Sequence, residues 1–292
     1  MPVTSPADPK SRTPAAGLRA ACVIGWPAGH SRSPIIHNYW IARHRIAGEY
    51  RKEAVPPEDF PAFLASLSDR GYVGANVTLP HKEAVLALTR ADARARTVGA
   101  ANTLWYEGGT LCSTNTDVEG FLANLDAAAP AWDQGLDTAL VLGAGGSARA
   151  VVFGLVERGV KRIHVANRTR DRAEALRVRF GGAVEPAGWD EVGRLLPGAG
   201  LLVNTTSLGM KGQPDLDLDV GRLRADAVVA DLVYVPLVTG LLAAAKKRGL
   251  RVADGLGMLL QQAVRPFETW FSVRPQVTAE LRALVEADLA TS

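Results

Sequence analysis

A reaction could be built in this chain from Lys82, Asp117, the serines Ser31 and Ser33, and a glycine turn at residues 143–148. Thr78 and Pro80 read as a helix start over residues 78–85, which puts Lys82 in a first turn. The helix dipole disfavours a cation there. A lysine in such a place is the kind recruited for proton transfer, whereas an ordinary surface lysine is simply solvated. Asp117 opens a helix predicted over 118–128, and local sequence allows it either to cap that helix or to stand free for chemistry. Ser33 before Pro34 is a hydroxyl N-cap followed by proline at the first helical position. Capping does not account for Ser31, which offers a second hydroxyl to an anion at the same place. Asn102 and Asn115, near strand ends, are turn formers or the polar lining of a cleft.

The turn Gly143, Ala144, Gly145, Gly146, Ser147, Ala148 fits G-x-G-x-x-G/A. The first glycine makes the tight turn, the second lets backbone approach a pyrophosphate, and the third small residue lets helix pack on strand. The helix N-terminus that follows supplies N–H groups for phosphate. The motif alone is weak. It gains weight from its surroundings, an apolar strand over 139–142, a helix over 151–158 and a second strand over 162–166. Where a site for NAD would have an acid after that second strand, this chain has Asn167, Arg168, Thr169, Arg170, Asp171 and Arg172. Arg168 and Arg172 lie four apart and suit a 2′-phosphate through charge-assisted bonds, so NADP is the expected dinucleotide. Asp171 better suits the first turn of the next helix.

These residues need a scaffold that brings them together. Strands are expected over 20–24, 49–55, 73–77, 100–106 and 110–113, the last two joined through Gly108 and Gly109 as a hairpin. Helices are expected over 35–44 and from 57. After the glycine turn, strands over 201–204, 227–231 and 250–253 continue the βαβ pattern, with a helix over 237–247. Two helices, 258–271 and 278–289, finish the chain. The order predicts an α/β protein of two domains. A loose tail covers 1–19, one α/β domain covers 20–118, and a Rossmann-type nucleotide domain covers 119–257. Residues 258–292 return to the first domain, because the nucleotide fold is complete by about residue 254.

With 292 residues, 47% hydrophobic and 22% charged, the chain is large enough for two ordinary domains and has a globular composition. A net charge of +3 with scattered basic residues argues against nucleic acid as a partner. No apolar run approaches the roughly 18–20 residues of a membrane span. Residues 1–18 are rich in Pro, Ser and Ala without an apolar stretch and read as a tail rather than a signal peptide. Cys22 and Cys112 lack CxxC spacing and read as buried thiols in a reducing, cytoplasmic setting. The five histidines have no metal-binding spacing, and no metal is expected.

Seven stretches together resemble the shikimate dehydrogenase family. They are Ser31 to Pro34, Asn76 to Lys82, Gly99 to Thr103 and Asn115 to Asp117, then Gly143 to Gly146, Asn167 to Thr169 with Arg172, and Asp254 to Met258 with Gln262. No one stretch is decisive, but seven in order from residue 20 to the C-terminus are specific. The resemblance implies reversible reduction of 3-dehydroshikimate with NADPH, in the biosynthesis of aromatic amino acids. It makes 20–118 with 258–292 the substrate-binding and catalytic domain. Ser31 and Ser33 would hold the substrate carboxylate. Thr78, Asn102, Asp117, Tyr234 and Gln262 would meet ring hydroxyls, and Lys82 with Asp117 would be the catalytic pair. Leu232 and Gly255 match positions along the nicotinamide. Ala148–Arg149 stands where the family commonly reads Ser-Arg, Ala93 stands where many members have an acid, and Gln261 beside Gln262 leaves the substrate glutamine open by one position.

Two rivals share this cleft. A quinate/shikimate dehydrogenase with relaxed substrate or cofactor choice is disfavoured by Arg168 and Arg172. A silent ligand sensor would be expected to lack the Lys82/Asp117 pair. The partner is in either case a small molecule, and the sequence is compatible with a homodimer.

Overall fold

The structure, a computed structural model, describes residues 18–291, so most of the expected tail lies outside the described residues. Six strands form a first sheet: β1 (Arg19–Gly25), β2 (Gly48–Ala54), β3 (Tyr72–Val77), β4 (Arg90–Ala91), β5 (Thr103–Glu107) and β6 (Thr110–Thr114). Their order is β2-β1-β3-β5-β6-β4. β1 runs parallel to β2 and β3, while β5 is antiparallel to β3 and β6. Six more form a second sheet: β7 (Thr138–Leu142), β8 (Arg162–Asn167), β9 (Val184–Gly188), β10 (Leu201–Asn204), β11 (Val228–Asp231) and β12 (Arg251–Ala253). Its order is β12-β11-β10-β7-β8-β9, with every pairing parallel. The order reverses between β7 and β10, and a crevice opens at their carboxyl ends, the place where such sheets bind ligands.

Successive side chains of a strand point to opposite faces, and the central strands are apolar on both because helices cover both. In the second sheet, Ala139, Val141, Leu201 and Val203 pack with Val151 and Leu155 of the helix Gly146–Glu157. Leu140, Leu142 and Leu202 point the other way, onto Leu241 and Ala245 of the helix Gly240–Lys247. In the first sheet, Ala20, Cys22 and Ile24 face Phe60 and Leu64, while Ala21 and Val23 face Trp40, Phe267, Trp270 and Leu281. The helices Val264–Phe271 and Ala279–Ala290 supply the last three of these residues. Trp270 Nε1 fastens them by donating to the Leu104 carbonyl at 2.8 Å, and Trp40 Nε1 donates to the Gln276 carbonyl at 3.0 Å. One helix, Asp117–Ala128, belongs to both units: it begins at the cleft with Asp117 and buries Phe121 and Leu125 in the second unit's core.

Several expected elements differ. Residues 78–85 do not form an α-helix; a turn precedes a short 3-10 helix, Ala84–Leu88. The Lys82 carbonyl accepts from the Ala101 N–H at 2.8 Å, so it is spent on another segment and not on a helical i+4 bond. The dipole argument for Lys82 falls with that helix. The stretch 258–271 splits into Gly255–Gln261 and Val264–Phe271, because Pro266 has no N–H to return to the Gln262 carbonyl. The helix expected from 237 begins at Gly240, where the Thr239 hydroxyl caps it by accepting from the Leu242 N–H. β4 and β9 are strands that the sequence pattern did not reveal.

His37 sits inside the aromatic layer between sheet and C-terminal helices, fully buried and stacked 4.2 Å from the Tyr50 ring. Burial pushes its imidazole down to about 3. The folded state thus refuses a proton that the unfolded chain accepts below about 6.5. Stability supplied by neutral His37 is complete above that pH and declines as pH falls toward 3. Urea titrations of His37→Phe and the parent between pH 7 and about 4 should show a shallower acid decline in the variant; parallel curves would refute the assignment.

Candidate active site

The two sheets meet across a cleft whose floor holds a cavity of ≈ 500 Å³. Ser31, Ser33, Thr78, Lys82, Asn102, Asp117, Ser147, Leu232, Tyr234, Gly255 and Gln262 all line it. These residues come from segments 231 positions apart at most, and only the fold brings them together. Lys82 follows β3 in the turn that begins at Thr78. Asp117 opens a helix just after β6. Their charged groups are 2.6 Å apart, with side chains 23% and 13% exposed.

Asn102 organises the floor. Its Nδ2 donates to Asp117 Oδ1 at 2.9 Å and to Gln262 Oε1 at 3.2 Å. Its Oδ1 accepts from the Thr116 N–H at 2.8 Å and from the Thr116 hydroxyl at 3.1 Å, which settles the amide's orientation. Asn115 resolves the ambiguity over Asp117. The Asn115 Oδ1 accepts from the N–H groups of Asp117 and Val118, at 3.0 and 3.4 Å, so it satisfies the helix start itself. The Asp117 carboxylate makes no capping bond and faces Lys82. Gln262 approaches because Gly120 leaves room: a Cβ on Gly120 would lie 2.5 Å from the Gln262 Cβ. Gln261 lines a separate cavity of ≈ 260 Å³, so Gln262 is the glutamine that reaches the cleft.

Ser33 is the first residue of its helix, Ser33–Arg43, and Arg32 takes the cap position without a side-chain capping bond. The expected N-cap is therefore displaced by one. Ser31 Oγ accepts from the Ser33 N–H at 3.3 Å. Tyr234 overlooks the same space, and burial raises its phenol above the usual range.

On the second sheet, Gly143 has φ +97°, and a Cβ there would meet Thr205 Oγ1 at 2.7 Å. Only glycine fits that turn. Gly145 and Gly146 have open space where a Cβ would stand, and the helix Gly146–Glu157 starts with no side-chain cap. Exposed N–H groups facing a cleft in this way can receive an anion. Gly143, Ala144, Gly145, Asn167 and Arg168 line a cavity of ≈ 330 Å³ with Thr205 and Thr206. Gly146, Thr169 and Arg172 do not line it; Thr169 stands at the N-terminal cap position of the next helix, Arg170–Phe180, without a side-chain capping bond, and Arg172 and Asp171 lie in its first turn. Arg170 is occupied by Glu191 at 2.9 Å and by the Pro186 carbonyl. Arg168 and Arg172 have no partner among the described residues. These two can accept a ligand's anionic group. A fourth cavity of ≈ 910 Å³ joins the two ends, sharing Ser147, Leu232 and Tyr234 with the floor and Thr205 and Thr206 with the nucleotide loop.

Sequence reasoning placed Asn76 in a family stretch but gave it no role; it hydrogen-bonds the Asn102 carbonyl at 3.0 Å and receives the Tyr50 hydroxyl at 2.6 Å. A buried amide in the apolar strand 73–77 was its visible sign. The same reasoning passed over Thr205 and Thr206, polar residues directly after β10, and over Asn124, which binds the Asp254 carbonyl at 2.8 Å beneath Gly257.

Residues 23–104 match the family described as shikimate dehydrogenase substrate binding domain, and residues 130–209 the family described as shikimate / quinate 5-dehydrogenase. The chain is 68% identical over 273 residues to the shikimate dehydrogenase (NADP(+)) of Rhodopseudomonas palustris, covering 94% of this chain and 98% of that one. Its structure is similar to that of shikimate 5-dehydrogenase from Thermus thermophilus in complex with NADP(H) and shikimate, with a TM-score of 0.79, 35% identity and coverage of 94% and 99%. Quinate dehydrogenase from Corynebacterium glutamicum, in complex with NAD, aligns with a TM-score of 0.86 at 30% identity, covering 92% and 99%.

The capping role of Asn115 has a direct consequence. Asn115→Ala removes the acceptor for two N–H groups and should destabilise the protein by about 1–2 kcal/mol in urea unfolding. A midpoint equal to that of the parent would show that the Asp117 carboxylate takes over the cap.

Proposed function

The chain belongs to the shikimate dehydrogenase family, and from that membership we propose that it interconverts 3-dehydroshikimate and shikimate using NADPH and NADP. The observation that carries this reading is that the Lys82–Asp117 pair and the glycine loop open onto one cleft, connected through Ser147, Leu232 and Tyr234. In this reading residues 20–118 with 258–292 hold the substrate and 119–257 the cofactor.

The residues fit the dinucleotide. The uncapped helix start at Gly146 and the open space at Gly145 and Gly146 suit the pyrophosphate, and Arg168 with Arg172 suits the 2′-phosphate. Asn167 and Thr169 stand beside those arginines, and Leu232 and Gly255 flank the floor where the nicotinamide would lie. The reduced cofactor supplies the hydride that the ketone carbon receives.

The chain's own groups do the rest. As the carbonyl carbon gains the hydride, its oxygen develops negative charge and requires a proton. Lys82 Nζ gives that proton, and its positive charge stabilises the oxygen while charge develops. The lysine regains a proton from solvent, to which its side chain is 23% exposed. Oxidation reverses each transfer. Asp117 orients the ammonium through Oδ2, is itself held by Asn102 through Oδ1, and accepts a ring hydroxyl. Ser31 and Ser33 take the carboxylate, and Thr78, Asn102, Tyr234 and Gln262 the remaining hydroxyls. Free, buried Cys22 and Cys112 suit a cytoplasmic setting.

Shikimate with NADP should give rapid NADPH formation, and Lys82→Ala should lose about 100-fold or more in kcat, the scale of a general acid–base group. Faster turnover of quinate or NAD would move the chain to the quinate/shikimate rival, and binding without turnover would favour a sensor. In a separate measurement, Arg168→Ala with Arg172→Ala should raise the KM for NADP roughly tenfold or more and leave any NAD activity unchanged. Equal loss with both cofactors would rule out the 2′-phosphate assignment.

A further inference from the structure

The helix that begins at the glycine loop also reaches the other unit. Its Ala150 joins Val98, Ala100 and Val118 in a small buried apolar seam, with Leu122 and Phe153 packed against it. Beside that seam lies Arg149, with its side chain 25% exposed. Its Nη1 donates to the Gly99 carbonyl at 3.1 Å and lies 3.1 Å from Glu83 Oε2. Gly99 is the left-handed residue that closes the helix Ala93–Val98, with φ +75°. Glu83 is the neighbour of Lys82.

The two places that Arg149 touches are already tied to each other and to the reacting groups. The Ala101 N–H donates to the Lys82 carbonyl at 2.8 Å, and the next residue, Asn102, holds Asp117 at 2.9 Å. We propose that Arg149 is a positioning residue for the reaction: it pins the turn of Lys82 and the segment leading to Asn102 at a set distance from the nucleotide loop. The inference rests on the function proposed above. A guanidinium suits the task, because the two N–H bonds of its Nη1 lie in a fixed plane and serve the carbonyl and the carboxylate together, whereas a lysine ammonium is a point charge on a flexible stem. The Glu83 side chain is 64% exposed, so its ion pair contributes little to folding stability. A positioning role therefore appears in rate, since small misplacements of reacting groups are costly. Arg179 provides an internal comparison. It reaches the same helix end from the nucleotide unit but donates to the Arg96 and Thr97 carbonyls, at 3.3 and 3.1 Å.

The test compares the intact protein with Arg149→Met, Arg149→Lys, Glu83→Gln, the Arg149→Met/Glu83→Gln double variant and Arg179→Met, in shikimate oxidation by NADP. Arg149→Met should lower kcat by about 10- to 100-fold, with both KM values within about threefold of the parent and a near-parental Tm. Arg149→Lys should recover part of the loss, and the Arg149 and Glu83 effects should be non-additive. Arg179→Met should keep kcat near that of the parent. Unchanged kcat in Arg149→Met would overturn the proposal. So would a raised KM for NADP at constant kcat, which would make Arg149 a phosphate ligand, or equal losses of Tm and rate in Arg149→Met and Arg179→Met. No turnover by the parent protein would sink the proposed function itself, whereas an active parent with an indifferent Arg149→Met would sink this inference alone.

Discussion

Everything in the cleft depends on holding one ammonium against one carboxylate where water is scarce. Lys82 and Asp117 are 2.6 Å apart and mostly covered. A partly buried charge pair is tolerable only when its remaining hydrogen-bonding capacity is met. That requirement explains the polar layer around it. Asn102 satisfies Asp117, Thr116 and Thr103 hold Asn102, and Asn76 holds the Asn102 backbone. Asn76 and Asn102 each have one orientation because their neighbours fix donor and acceptor.

The same constraint explains the architecture. Neither sheet could build the pair's surroundings alone. The first supplies the turn after β3 and the helix start after β6. The second supplies Leu232 after β11 and Gly255 after β12, and the C-terminal segment brings Gln262. Helix Asp117–Ala128 joins the units by starting in one and burying its apolar face in the other. Glycines permit the closest approaches. Gly255 comes so near Leu232 that a Cβ would lie 2.3 Å from its carbonyl oxygen, and Gly257 leaves the space that Asn124 uses.

Some of this was legible in the residues. The apolar runs at 139–142 and 201–203, the glycine turn between strand and helix, and the hairpin at Gly108 and Gly109 are local patterns whose physics is local. So are the two arginines that replace an acid after β8. The helix expected over 78–85 shows where local reasoning ends. Thr78 and Pro80 are a good helix start in isolation, but the Lys82 carbonyl bonds to Ala101, and a tertiary hydrogen bond overrules a propensity. β4 and β9 were missed for a related reason, since a two-residue strand, or one made of Val184, Glu185, Pro186, Ala187 and Gly188, exists only because a neighbour is there to pair with.

The sequence by itself determined the α/β class, the order of the longer strands, the nucleotide loop and the residue types present at each strand end. These follow from hydrophobic period and turn chemistry, which act over a few residues. Tertiary structure decided what those residues do to one another. It released Asp117 from capping by giving that work to Asn115, chose Gln262 over Gln261, and occupied Arg170 while leaving Arg168 and Arg172 open. Such choices depend on distances between segments far apart in the chain, and a linear pattern carries no distance of that kind.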